Sequence, residues 1–110
     1  MKTSLGNLAH VHAYQKGQRI NIGVICRKDS FYESVTQELS TGRVKSFLDD
    51  LVHGPVLRYE LPKIASLNFV YVQNEVQTDF AASPIPVDIF AERLLEIEIE
   101  VNEHELENQS

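Results

Sequence analysis

The sequence has one cysteine, fewer basic than acidic residues and no long apolar run. A single cysteine excludes an internal disulfide and any zinc site built from several cysteines. With 10 basic residues against 16 acidic ones, we expect no nucleic-acid partner, because such proteins carry a basic excess. No stretch approaches the ~20 apolar residues of a membrane-spanning helix, and the first residues lack the apolar core of a signal peptide. We therefore expect a cytoplasmic protein without a membrane partner.

The chain has 110 residues, of which 43% are hydrophobic and 24% charged. These values are typical of one globular domain, and we expect that domain to span residues 1–101. From Asn102 onward the sequence is acidic and nearly devoid of apolar side chains. Residues 102–110 are therefore predicted to form a disordered tail.

Alternating apolar residues predict the strands. The clearest signal is the alternation of Ile20, Ile22, Val24 and Cys26 with less apolar neighbours. Further strands are predicted at 56–61, 67–72 and 97–101, with a weaker one at 6–13. The link at 62–66 suits a short antiparallel connection.

Three segments have helical spacing. Phe31, Val35 and Leu39 recur at every fourth position, after a capping box formed by Ser30 and Glu33. A second stripe runs from Val44 to Leu51 after Thr41 as a cap, and a third covers 87–95. Residues 73–86 carry no regular signal.

The resulting order is strand, helix pair, strand, strand, helix, strand, preceded by one extra strand. This order predicts an α+β fold: a ferredoxin-like split βαβ sandwich with an antiparallel sheet and an additional N-terminal strand. The N-terminal and C-terminal strands compete for the sheet edge beside Ile20–Cys26. The sequence leaves open which of them takes it.

Three stretches carry a resemblance to a known family. They are Leu8-Ala9-His10 with Lys16-Gly17 and Asn21–Arg27, then Arg58–Pro62 with Ala65–Val70, and finally Ala91–Ile99. Together they resemble the C-terminal ferredoxin-fold domain of AtuA-related proteins, the acyclic terpene utilisation family, from about Leu5 to Val101. The resemblance implies a small accessory or structural subunit of a larger AtuA-like protein in acyl or terpenoid-acid catabolism. It also implies assembly with that larger subunit or as a homo-oligomer.

The loop after the family's histidine departs from the usual pattern. A serine, a glycine and two acidic residues are replaced by Ala13, Tyr14, Gln15 and Gln18. A hydroxyl and carboxylates are the groups that acid/base chemistry or a hard metal would use. The accessory function is therefore favoured, and the alternative is an enzyme component that acts on an acyl or carboxylate substrate with His10 as acid/base.

The remaining polar residues of the three stretches are candidate ligand-binding residues. Lys16 and Gly17, together with Asn21, could approach a phosphate or carboxylate through charge and backbone N–H groups. Arg58, Glu60 and Asn68 could hold a carboxylate, or could form a polar ladder that fixes the register of the sheet.

Metal and thiol chemistry have weaker support in the sequence. His10 and His12 lie two residues apart, but no third metal ligand is evident, so we expect neither a metal nor another cofactor. Cys26 is favoured as a buried small hydrophobe, and the alternative is a thiol whose pKa is lowered by Arg27 and Lys28.

Overall fold

The computed structural model describes residues 1–72 and 86–101. Within them it has six strands and three α-helices: β1 (Lys2–Ser4), β2 (Ala9–Lys16), β3 (Arg19–Cys26), α1 (Tyr32–Glu38), α2 (Thr41–Phe47), β4 (Val56–Leu61), β5 (Ser66–Val72), α3 (Asp88–Leu94) and β6 (Glu98–Glu100). Single 3₁₀ turns lie at Leu5–Asn7, Asp29–Phe31 and Pro62–Ile64. The predicted α+β class is confirmed. The predicted irregular stretch at 73–86, except for its last residue, and the predicted tail at 102–110 lie outside the described residues.

Four strands form an antiparallel sheet in the order β2-β3-β5-β4. Strand β3 lies inside the sheet because every second side chain from Ile20 onward is apolar and is buried against the helices. Its register places Ile22 opposite Phe69 of β5, and both side chains are almost fully buried. The core therefore fills the space between this face of the sheet and the three helices.

The edge beside β3 is taken by the N-terminal strand β2. The two strands are joined by Gly17 and Gln18, and Gly17 has φ 63°. A two-residue hairpin needs such a positive φ, and glycine adopts it without strain. This local hairpin closes a far shorter loop than the pairing of β3 with β6 would, so its entropic cost is smaller.

The C-terminal strand β6 pairs instead with β1, in a separate two-stranded sheet. Two polar contacts hold it beside the first helix pair: Arg43 donates to the carbonyl of Glu98, and the N–H of Glu100 donates to the Glu38 carboxylate at 2.9 Å. Ile99 is fully buried as a result. The competition for the edge of the main sheet is thus resolved in favour of the N-terminal hairpin.

The helices bury most of the predicted stripes, but Phe47 of the second stripe stays 39% exposed and Leu51 lies beyond the end of α2. The helices also begin differently from the prediction. The predicted capping box at Ser30 is wrong, because a 3₁₀ turn leads directly into α1 and the N-cap residue Phe31 already has helical angles. The cap of α2 is Ser40, whose Oγ accepts from the N–H of Arg43 at 3.1 Å, and not Thr41. Ser40 has the extended backbone that a capping residue needs, whereas Thr41 is already helical.

Candidate functional site

The two faces of the four-stranded sheet differ in their environment. One face packs on the helices, whereas the other is not covered by any described element; we call the second the open face. Its residues are His10, His12, Tyr14 and Lys16 on β2, Arg19, Asn21, Gly23 and Ile25 on β3, Ser66, Asn68, Val70 and Val72 on β5, and Leu57, Tyr59 and Leu61 on β4. Of these, Gly23, Ser66 and Val70 are buried between their neighbours. Six of the others are large apolar or aromatic side chains with 39–51% of their surface exposed: Tyr14, Ile25, Leu57, Tyr59, Leu61 and Val72.

A polar row crosses the middle of the open face. His12, Gly23, Asn68 and Tyr59 lie side by side on the four strands. Gly23 leaves room for the imidazole, since a Cβ there would lie only 3.0 Å from Cε1 of His12. The His12 ring also stacks on Tyr14 with centroids 6.4 Å apart.

Two of the predicted site residues meet next to this row. Nδ2 of Asn68 donates to Oδ1 of Asn21 at 3.4 Å, across neighbouring strands. Both side chains are half-buried. They form a polar pair near the centre of the open face, between the aromatic side chains of Tyr14 and Tyr59.

His10 lies near one end of the open face. Its Nε2 is 3.1 Å from Nη1 of Arg27, and the same guanidinium donates to the carbonyl of Gly6 through Nε and Nη2 at 3.2 and 3.1 Å. A guanidinium can only donate, so Nε2 is the acceptor and the proton of a neutral ring resides on Nδ1. Arg27 was not among the predicted site residues, although it follows β3 directly in the sequence.

The residues of the catalytic alternative are not brought together. His10 and Lys16 lie on one strand and on one face, six residues and therefore about 20 Å apart. Arg58 lies on the helix-covered face of β4, opposite Phe69. The structure does not assemble these three residues around one substrate.

Arg58 and Glu60 form a pair of their own on the covered face. Arg58 donates to Oε2 of Glu60 at 2.9 Å and to the carbonyls of Thr36 and Leu39 at 2.7 and 3.0 Å. Asn68 lies opposite Tyr59 and hence on the other face of the sheet. The predicted trio is thus divided, with Arg58 and Glu60 at the end of α1 and Asn68 on the open face.

Lys16 and Gly17 lie at the hairpin between β2 and β3. Lys16 is the last residue of β2, opposite Arg19, and Gly17 opens the turn. Two basic side chains therefore stand side by side at an exposed strand end. Anion binding at this hairpin stays a prediction.

Cys26 is a buried thiol with 8% of its surface exposed. Burial, with a smaller contribution from the nearby Asp29 carboxylate, raises the pKa of the Cys26 thiol to about 11. The alternative in which Arg27 and Lys28 lower this pKa is therefore wrong, and the favoured interpretation of Cys26 as a buried small hydrophobe agrees with its burial. Cys26 also faces the core, while His10 on the paired strand faces the open side.

Two further findings concern metal binding and membrane spans. In the described part of the chain, no three side chains of His, Cys, Asp or Glu are grouped so that they could hold a metal ion. None of its helices is long and apolar enough to cross a membrane.

The exposed apolar side chains of β4 are the part of the candidate site that sequence reasoning missed. Leu57, Tyr59 and Leu61 alternate with the polar residues Arg58 and Glu60. In the sequence this alternation predicts a strand, but it also indicates that Leu57, Tyr59 and Leu61 share one face of that strand. Once the helices are assigned to the opposite face of the sheet, the same pattern indicates that these three apolar side chains are exposed.

The element order and the antiparallel sheet define a ferredoxin-like α+β domain with one open sheet face. The model of the AtuA ferredoxin-like domain family matches residues 3–83. The chain therefore belongs to that family. No curated protein and no solved structure matches it.

Proposed function

We propose that this protein is an accessory subunit of a larger AtuA-like protein, and that it docks on that protein through the open face. The observation that supports this proposal is the set of six exposed apolar and aromatic side chains on one sheet face. Several large apolar side chains exposed on one face of a small domain are typical of interaction sites. The proposed process is acyl or terpenoid-acid catabolism, as the family resemblance implies. The cytoplasmic location expected from the sequence composition is part of the same proposal.

The chemistry of the open face is that of a subunit contact. Tyr14 and Tyr59 are large aromatic side chains that can serve as anchors, each with a hydroxyl that can bind at the polar edge of a contact. The pair Asn21–Asn68 lies between them and offers amide groups that can form hydrogen bonds with a partner. Apolar anchors around a small polar centre give affinity and orientation together.

The catalytic alternative is favoured less by this geometry. A general acid/base needs its substrate-binding groups within one site, whereas His10, Lys16 and Arg58 lie far apart or on opposite faces. It stays a prediction, and loss of turnover in a folded His10→Ala variant would support it.

The docking proposal can be tested with two charged substitutions of equal exposure. Ile25 on the open face and Phe47 on α2 each expose 39% of their surface. The chain is co-expressed with a larger AtuA-like protein encoded in the same genome, and the purified complex is analysed by size exclusion with light scattering. We expect Ile25→Glu to lower the recovered complex at least tenfold, because it buries an unpaired charge in the contact, and Phe47→Glu to leave it unchanged.

Two results would contradict the proposal. One is that the wild-type chain forms no complex with the larger protein. The other is that Ile25→Glu and Phe47→Glu bind equally well while both remain folded by circular dichroism.

A further inference from the structure

Among the described residues, strand β4 is an edge strand whose outer hydrogen-bonding side pairs with no other strand. The sheet order ends with β4, and no strand of the described residues lies beyond it. Exposed edges are sites where another strand can add. The side chains of β4 determine which kind of strand could pair with this edge.

The register of the sheet shows which backbone groups of β4 point outward. The N–H of Cys26 donates to the carbonyl of Ala65 at 2.9 Å, in line with the β3–β5 register. Hydrogen-bonded and non-hydrogen-bonded pairs alternate along an antiparallel ladder. Counting from this bond, Tyr59 directs its N–H and C=O toward β5, whereas Arg58 and Glu60 direct theirs away from the sheet.

The sequence of β4 is self-complementary in one antiparallel register. If Tyr59 faces Tyr59 of a second copy, then Arg58 faces Glu60 and Leu57 faces Leu61 of that copy. Moving the second strand by two residues in either direction places Arg58 opposite Arg58, or Glu60 opposite Glu60. Like charges directly opposite each other destabilise a strand pair, and opposite charges stabilise it.

The hydrogen bonding agrees with this register. Arg58 and Glu60 of the two copies become hydrogen-bonded pairs, and the two Tyr59 residues become the non-hydrogen-bonded pair on the twofold axis. Pro62 follows β4 directly and is the next residue after Glu60 whose backbone would point away from β5. Because proline has no N–H to donate, the new ladder cannot gain a hydrogen bond from the N–H of this position.

We propose that β4 pairs antiparallel with β4 of a second copy, with Tyr59 on the twofold axis, to form a homodimer with one continuous eight-stranded sheet. The charged side chains gather on the covered face, where Arg58 and Glu60 of each copy approach those of the other. The apolar side chains of both copies extend one open face across the dimer. A twofold contact of this kind is closed, so the assembly ends at two chains.

The proposal concerns the chain alone and does not depend on the larger subunit. The purified protein is therefore tested by itself with engineered cysteines. Tyr59, Leu57 and Leu61 expose 51%, 51% and 43% of their surfaces, so their replacement is not expected to disturb the core. Cys26 is present in every variant but is buried, and the wild-type chain measures its background reaction.

The positions of the cysteines distinguish this register from others. In a non-hydrogen-bonded pair the two Cα atoms lie about 4.5 Å apart, which a disulfide can bridge. Tyr59→Cys is therefore expected to convert most of the chain to a covalent dimer under a mild thiol oxidant. Leu57→Cys alone is not, because its two copies lie about 13 Å apart, but a mixture of Leu57→Cys and Leu61→Cys chains is expected to cross-link.

The readouts are non-reducing electrophoresis and light scattering of the untreated wild-type chain over a range of concentrations. A concentration-dependent dimer with this pattern of cross-links supports the proposal. A wild-type chain that stays monomeric at the highest concentration overturns it. So does a Tyr59→Cys chain that does not cross-link, or a Leu57→Cys chain that cross-links as fast.

Discussion

The contact between His12 and Gly23 shows how one missing side chain shapes the open face. A methyl group at position 23 would lie 3.0 and 3.1 Å from Cε1 and Nε2 of the His12 ring. Glycine in a strand costs about 0.5–1 kcal/mol relative to alanine, yet it lets the imidazole lie flat across the centre of the sheet. The polar row of the open face depends on this small residue.

At the residue scale, Cys26 gives a prediction about pH. The pKa of its thiol is raised from 9.0 to about 11 by burial and by Asp29. Between these values the unfolded chain has lost the thiol proton while the folded chain still holds it, so the free energy of unfolding falls as the pH rises. The loss is about 1.4 kcal/mol per pH unit and ends above the folded pKa.

The measurement is urea unfolding of the wild-type and Cys26→Ala chains from pH 8 to pH 11. Other groups titrate in this range in both chains, so the difference between the two curves is the informative quantity. We expect the wild-type chain to lose more stability with pH than the variant does. Parallel curves would show that the thiol has no raised pKa.

At the scale of elements, Arg58 connects a strand to the end of a helix. Its guanidinium donates to the carbonyls of Thr36 and Leu39 at 2.7 and 3.0 Å. The last carbonyls of a helix have no partner within the helix, and a cation is favoured at this end. Arg58 therefore fastens β4 to α1, a contact that differs from the cross-strand polar ladder considered for it from the sequence.

Replacing Arg58 tests this connection. Arg58→Met is expected to lower the free energy of unfolding by about 1.5–3 kcal/mol, because the helix-end carbonyls lose a charged donor. The control is Arg93→Met, which removes an exposed ion pair with Asp50 at 2.9 Å and should cost less than about 1 kcal/mol. Urea unfolding is measured at a dilution where the wild-type chain is monomeric, and equal losses in the two variants would contradict the prediction.

Much of the element order could be predicted from the sequence, because β3, β5 and the helices carry strong periodic signals. The division of the candidate site could not. The predicted link of five residues, 62–66, would pair Leu61 with Leu67. In that register Glu60 would lie opposite Asn68, on the same face of the sheet. In the structure Ala65 takes a left-handed conformation at φ 49° and Ser66 already pairs with Leu61, and such a one-residue difference moves every side chain of a strand to the other face.

The pairing partner of the C-terminal strand also could not be predicted from the sequence pattern. The alternation of Ile97, Ile99 and Val101 predicts a strand but contains no information about its partner. The choice depends on the competing hairpin and on long-range contacts such as the hydrogen bond from the N–H of Leu5 to the carbonyl of Ile97 at 2.8 Å. Such contacts join residues more than ninety positions apart, and the periodicity of a short sequence window cannot predict them.

At the scale of the whole molecule, the small sheet of β1 and β6 brings the two ends of the folded domain together. The N–H of Val101 donates to the carbonyl of Met1 at 2.8 Å, and Ile97, Ile99 and Val101 are at most 2% exposed. Burial of each such side chain contributes about 1.5–3 kcal/mol. Together they approach the net stability of a domain of this size, which is about 5–15 kcal/mol.

Two truncations test whether the folded domain ends at Val101, before the predicted tail. Removal of residues 97–110 takes away β6 and its buried side chains, and it exposes Leu5, so we expect loss of the cooperative thermal transition. Removal of residues 102–110 leaves β6 in place and is expected to change the melting temperature by no more than about 2 °C, which corresponds to a few tenths of a kcal/mol. If the shorter truncation were as damaging as the longer one, the boundary of the domain would lie beyond Val101, and residues 102–110 would have to be counted as part of the fold.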